Sequence, residues 1–139
     1  MIKIKLFRTL LTVILVSSSL LVQGQWTQKA AIWGFSQGVW GGQSYTVNGK
    51  IYFSGGYAGV NNYFNDNQVY DPTTEKWGSR QNLPGTNTNR TGGITFTING
   101  KAYLGLGIQD FVSFTSPWVF LKDLWEYDDV NDTWAQKAS

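Results

Sequence analysis

Six aromatic residues stand where the sequence leaves room for recognition chemistry: Tyr57, Tyr63 and Phe64 in one variable segment, Phe111, Phe114 and Trp118 in another. Flat rings on a loop form a platform on which a sugar ring or a peptide can stack. The same rings could instead fold back over an exposed sheet edge. For catalysis the inventory is thinner, because the chain contains neither His nor Cys. That removes the commonest general base, the commonest metal ligand and all thiol chemistry. Acid and base work would fall to Arg80, Arg90, Glu75 and Glu126. Yet Glu75 and Glu126 sit in regular positions of a repeat, on a turn and a strand. No catalytic residue, metal or cofactor is therefore expected. Asn65-Asp66-Asn67 offers oxygens of the kind that bind Ca2+, but it lacks the further carboxylates such a site needs, and Asp66 recurs as Asp123, as a structural turn would.

The repeat positions all of these residues. Gly41 to Trp77 returns as Gly92 to Trp134. Gly41-Gly42 reappears as Gly92-Gly93, Thr46-Val47-Asn48-Gly49-Lys50 as Thr97-Ile98-Asn99-Gly100-Lys101, and Tyr52 as Tyr103, each 51 residues later. Beyond the variable segment the offset becomes 57, pairing Asp66 with Asp123, Tyr70-Asp71 with Tyr127-Asp128 and Trp77 with Trp134. The six extra residues lie between Ile108 and Lys122, against the shorter Tyr57 to Asn65. Trp26-Thr27-Gln28-Lys29-Ala30 recurs as Trp134-Ala135-Gln136-Lys137-Ala138, at the summed offset of 108. A period near 50 is that of a propeller or solenoid unit.

Within each unit the Asn48-Gly49 and Asn99-Gly100 pairs lie between alternating strands, Ser44 to Val47 with Ile51 to Ser54, and Ile94 to Ile98 with Ala102 to Leu106. Asn-Gly accepts the positive φ angles of a tight hairpin turn. A third strand follows at Gln68 to Tyr70 or Leu124 to Tyr127, closed by Asp-rich turn residues, and a fourth begins at Trp77 or Trp134. Nothing after the first segment reads as a helix. The expected class is all-β, with two four-stranded antiparallel sheets.

These residues resemble the kelch repeat. Ile51-Tyr52-Phe53-Ser54-Gly55-Gly56, then Tyr70-Asp71-Pro72 and Trp77, match its strand, double Gly and spaced Tyr and Trp. The second copy departs from it, with Leu106-Gly107 in place of the double Gly and Asp129 in place of Pro72. The resemblance implies a β-propeller of which this chain holds about two blades, 26–77 and 77–139, with Gly55, Gly56, Tyr70, Asp71, Trp77, Gly107, Tyr127, Asp128 and Trp134 as framework. Tyr52 and Tyr103 are expected in the core with Tyr70, Trp77, Tyr127 and Trp134. Kelch-type propellers also include carbohydrate-active enzymes. A copper-dependent galactose oxidase would need His and Cys that are absent here, whereas a metal-free sugar epimerase would not. The resemblance thus implies a binding or scaffold module for protein or glycan, or else a fragment of such an enzyme.

Residues 1–24 read as a signal peptide: Lys3, Lys5 and Arg8, an apolar run from Leu10 to Val22, then Gly24. The run is shorter than the roughly 20 apolar residues that span a bilayer. A secreted or periplasmic location is expected. Of the 11 Lys and Arg, three fall in this segment, leaving eight against nine Asp and Glu. A chain so balanced offers no electrostatic footprint for nucleic acid or for anionic membranes. Propellers commonly need four to eight blades, and two blades leave aromatic faces uncovered, so either further blades or a homo-oligomer is expected to cover them.

Overall fold

The computed structural model describes residues 26–32, 38–59, 64–84, 89–109 and 119–138. The segment read as a signal peptide lies outside them. Ten strands are present: β1 (Gln43–Val47), β2 (Lys50–Ser54), β3 (Asn67–Asp71), β4 (Lys76–Arg80), β5 (Ile94–Ile98), β6 (Lys101–Gly105), β7 (Ile108–Gln109), β8 (Val119–Phe120), β9 (Leu124–Asp128) and β10 (Thr133–Ala138). Two four-stranded antiparallel sheets result, ordered β1-β2-β3-β4 and β5-β6-β9-β10, beside a small β7-β8 pair. Among the described residues there is no helix, and none long and apolar enough to cross a membrane.

The turns fall where the sequence puts them. Asn48 and Gly49 adopt φ of 50° and 75°, Asn99 and Gly100 of 51° and 73°, the left-handed pair that a type I′ hairpin requires. At the other turn of each sheet an Asp side chain caps the backbone. Asp71 Oδ1 accepts from the Thr73 amide at 2.8 Å, and Asp128 Oδ1 from the Val130 and Asn131 amides at 3.0 and 3.2 Å. The small β7-β8 pair was not foreseen; it forms within the longer of the two variable segments, where two short β-formers face each other across the insertion.

The core lies between the sheets. Alternation along β1 points Gln43, Tyr45 and Val47 inward and leaves Ser44 and Thr46 exposed. Tyr45 and Tyr52 stack with ring centres 5.0 Å apart, and Tyr127 of the second sheet meets them edge-on at 6.3 and 5.5 Å. Val47, Val69, Leu83, Ala102 and Leu104 complete this buried cluster, with Trp134 against it. Hydrogen bonds hold the inner strands side by side: the Thr95 and Thr97 hydroxyls donate to the Ser44 and Thr46 carbonyls at 2.7 and 2.8 Å. At the outer edge the Trp134 Nε1–H donates to the Gln81 carbonyl at 2.9 Å, and the Trp77 Nε1–H to Ala30 at the same distance. Residues 26–32 therefore sit against the first sheet as β4 and its continuation sit against the second, although they form no strand. The likeness between Trp26-Ala30 and Trp134-Ala138 is not kept in the structure: Trp134 packs against the core from β10, whereas Trp26 is 99% exposed.

Two core expectations fail: Trp77 is half-buried, against Tyr70 at 5.3 Å but outside the buried cluster, and Tyr103 lies further out. Tyr103 is not in the core but half-exposed on the outer side of the second sheet, stacked on Phe96 at 5.0 Å. Its counterpart Tyr52 is fully buried because a second sheet covers it; no described residues cover Tyr103 in that way. Burial of a repeat position is set by the neighbouring repeat, not by the position itself.

Leu106 occupies the place of Gly55, and it holds φ at 57° where Gly55 holds 65°. A left-handed Leu carries a strain that Gly escapes. Leu106 is also exposed, so little packing is lost with its side chain. Leu106→Gly is expected to raise stability by about 1 kcal/mol, after allowance for the freer unfolded chain. Urea unfolding of the two proteins checks it, and a lower midpoint for the variant would contradict it.

Candidate functional site

The two sheets share one end, where β1 and β5 begin, β2 and β6 finish, and both variable segments emerge. The backbone is crowded there. The Gly56 amide donates to the Arg90 carbonyl at 2.8 Å, and the Gly92 amide to the Gly41 carbonyl at 2.8 Å. A Cβ on Gly55 would meet that Arg90 carbonyl oxygen at 2.6 Å, which explains the double Gly of the first unit. Each variable segment starts from a pinned bridge. Trp40 and Tyr57 exchange backbone hydrogen bonds at 3.0 Å, as do Thr91 and Ile108 at 3.0 and 2.9 Å.

Tyr57, one of the six aromatics singled out from the sequence, is half-buried. Its ring meets Trp40 edge-on, with centres 4.9 Å apart, and Trp40 is 57% exposed. Phe64 is half-buried at the other end of the same segment, its amide donating to the Gly56 carbonyl at 3.0 Å. Tyr63, Phe111, Phe114 and Trp118 lie outside the described residues. The structure thus brings Tyr57 and Phe64 to the two feet of one loop, and adds Trp40, which the repeat pattern did not mark. Its signal was available: it directly precedes Gly41-Gly42, where the chain enters the first strand.

Beneath this rim lies a buried ion pair. Arg90 is 4% exposed, and its Nη2 contacts Asp123 Oδ2 at 2.6 Å. Its other terminal nitrogen donates to the Leu106 carbonyl. Trp125 Nε1–H also donates to Asp123 Oδ2, at 2.6 Å. Burial alone would push the Asp123 carboxyl up, but the hydrogen bonds from Arg90 and Trp125 and the Arg90 charge hold it below its usual range. Arg90 Nε and Asp123 Oδ1 remain without a hydrogen-bond partner among the described residues. Arg90 was an acid–base candidate from the sequence; the structure encloses it with a carboxylate instead. Asp66 and Asp123 are not in turns: each lies just before a strand, its carbonyl accepting from the Gly55 or Leu106 amide at 3.0 and 3.1 Å and so extending the strand pairing by one step.

The other ionisable candidates are engaged elsewhere. Glu75 pairs with Lys29 on the exposed turn, and Arg80 lies 3.6 Å from Asp129. Glu126 accepts from Tyr103 at 2.8 Å and pairs with Lys101 and Lys137 at 3.3 and 3.0 Å. Asn67 is buried, its side-chain oxygen accepting from Tyr45 and Ser54 at 2.9 and 2.8 Å, so the Asn65-Asp66-Asn67 run does not present an open set of cation ligands. Among the described residues no cluster of three His, Cys, Asp or Glu could hold a metal ion.

At the opposite end, Asp128 is lowered from 3.8 to about 2 by the Asn131 backbone N–H first, then by the Asn131 side chain and Lys101. A carboxyl whose folded value is lowered makes the unfolded chain bind more protons in between. Its contribution is complete above the unfolded value of 3.8 and is lost as pH falls through about 2. Melting temperature is expected to drop across that interval, and Asp128→Asn to flatten the drop in part, since Asp123, Asp71 and Glu126 are lowered too. An unchanged slope in the variant would contradict it.

The sequence model of the family described as Kelch motif matches residues 46–82. The solved structure titled "Structure of YjhT", a kelch-type propeller, aligns with a TM-score of 0.68 at 23% identity, over 83% of this chain and 42% of that one. This chain therefore spans less than half the length of that protein, and at such identity the likeness extends to the fold. No curated protein sequence matches. The chain thus carries a kelch motif in its first unit and has the fold of about two blades of a kelch-type β-propeller, two four-stranded antiparallel sheets packed through Tyr45, Tyr52 and Tyr127.

Proposed function

We propose that the chain is an exported binding module that takes a glycan or a protein segment at the end of the blades from which both variable segments emerge, with no catalysis of its own. The observation that carries this reading is the Trp40–Tyr57 pair, an exposed indole braced edge-on at the foot of a loop and anchored through its own backbone. A rigid ring with an open face suits stacking against a sugar or a peptide plane. The ionic groups below it support binding rather than proton transfer, because Arg90 and Asp123 are spent on each other and closed off from a substrate. Export rests on the basic and apolar character of residues 1–24.

Titration with soluble glycans and with Pro- or aromatic-bearing peptides, followed by Trp fluorescence and by melting temperature, tests the reading. A saturable response is expected, weakened about tenfold by Trp40→Ala, as for a central aromatic contact. No response across both panels would refute it. Sugar anomer exchange followed by NMR addresses the enzymatic alternative, and exchange no faster than without protein is expected.

A further inference from the structure

The two sheets meet through two different half-surfaces. The first sheet receives with Tyr45, Val47 and Tyr52; the second inserts Tyr127 and Trp134 and donates from Thr95 and Thr97. Each half-surface recurs in the other sheet, on the side away from this interface; Ser44, Thr46, Phe96 and Ile98 are exposed there and Trp77 and Tyr103 half-exposed, whereas Tyr70 is buried, at 6% exposure. The receiving residues return 51 positions later as Phe96, Ile98 and Tyr103. Phe96 and Tyr103 stack at 5.0 Å and 10°, as Tyr45 and Tyr52 do at 5.0 Å and 3°. Phe96 and Ile98 are nevertheless 44% and 52% exposed, beside Ile94 at 48%. The inserting residues occur earlier as Ser44, Thr46, Tyr70 and Trp77, on the opposite side of the body, where Ile51 is 42% exposed. A row of exposed large apolar side chains on a sheet is the mark of an interaction surface.

We propose that a second copy of this chain docks head to tail, its first sheet on the outer side of the second sheet of the copy before. The Ser44 and Thr46 hydroxyls of the incoming copy then donate to the Thr95 and Thr97 carbonyls, and its Tyr70, buried in the single chain, must be uncovered to meet Phe96 and Tyr103 as Tyr127 meets Tyr45 and Tyr52. The argument is continuity with the interface already built inside the chain, which fixes the chemistry of both sides. One contact is not repeated: Asp129, which accepts from Tyr52, is replaced by Pro72 in the incoming copy, while Tyr103 already donates to Glu126 at 2.8 Å. The junction is thus satisfied but lacks one charge-assisted bond. It also carries a cost, since residues 26–32 of the incoming copy and 134–138 of the receiving one claim the same place, and one of them must give way. A head-to-tail contact closes into a ring when its rotation allows. With four to eight blades in a propeller, that means about two to four copies.

The purified chain, sedimented over a wide concentration range, is expected to form a discrete species of two to four copies. Two variants separate the half-surfaces. Phe96→Glu puts a charge on the receiving side and Thr46→Glu on the inserting side; both positions are exposed, so each protein alone is expected to remain a single copy with nearly unchanged melting. Mixed together, they retain one good half-surface each and are expected to give a species of two copies and no larger. Single copies of the unaltered chain at every concentration would overturn the proposal, as blades from another polypeptide would then be the cover. So would aggregates of indefinite size insensitive to Phe96→Glu, or a mixture of the two variants without the two-copy species.

Discussion

Tyr127→Ala is expected to destabilise the chain by about 3–5 kcal/mol, the range for deleting a large buried aromatic side chain. Tyr127 is fully buried, and its ring joins three others, Tyr45 and Tyr52 across the interface and Trp134 at 4.7 Å within its own sheet. Among the described residues, no other side chain links the two sheets through so many rings. A domain of ordinary stability has about 5–15 kcal/mol in total, so the variant is expected to be largely unfolded or to melt far earlier. Tyr127→Phe keeps the ring and removes only the hydroxyl that donates to Asp132 Oδ1 at 2.7 Å, at a cost of about 1 kcal/mol. The repeat supplies an internal control. Tyr70 is the equivalent residue and is also buried, but its ring contact is Trp77 of the same sheet, at 5.3 Å. Tyr70→Ala is expected to cost roughly 2 kcal/mol, near the low end for large-to-small changes. Urea unfolding decides it, provided the slope with denaturant stays constant. Equal losses at Tyr70 and Tyr127 would mean that the interface between the sheets contributes little.

The framework was legible in the sequence because its signals are local. Asn48-Gly49 and Asn99-Gly100 fix two hairpins by backbone conformation alone, and Asp71 and Asp128 cap their turns with their own side chains. Alternation then says which side of β1 is apolar. What it cannot say is which apolar side has a partner. Tyr52 and Tyr103 are the same residue in the same repeat position, yet only one is buried, because the cover is supplied by a different unit. The Arg90–Asp123 pair was hidden for a related reason. Arg90 stands in the connection between units, at the place that Val39 holds in the first, so the repeat gives it no counterpart, and Asp123 read as a structural turn residue, whereas it lies just before β9. The aromatic loops were recognised as variable; among the described residues, Tyr57 and Phe64 are held at the feet of the first by backbone hydrogen bonds to Trp40 and Gly56, as Ile108 and Leu121 are at the feet of the second. Trp40 was overlooked since it belongs to neither the repeat nor the insertion.

Arg90→Met is expected to cost about 3–5 kcal/mol, because it leaves a carboxylate enclosed without its cation. Asp123 would keep the Trp125 Nε1–H on the oxygen now shared with Arg90 but lose its cation, and its side chain is just 20% exposed. Removing both charges should cost less than removing one: Arg90→Met with Asp123→Leu is expected to recover most of the loss, since apolar groups of similar size need no partner. The sign of the pH dependence provides the sharper test. In the unaltered chain Asp123 is lowered, so its contribution is complete above the ordinary 3.8 and is lost as pH falls through the folded value. In Arg90→Met the same carboxyl has burial without the opposing charge, which raises its folded value above the unfolded one. Its contribution is then complete below the unfolded value and is lost as pH rises through the folded value. The stability difference between the two proteins should therefore widen from acid to neutral pH. A difference that stays constant would show that Arg90 acts by packing alone, through its bond to the Leu106 carbonyl and its contact with the glycine-rich end of the blades.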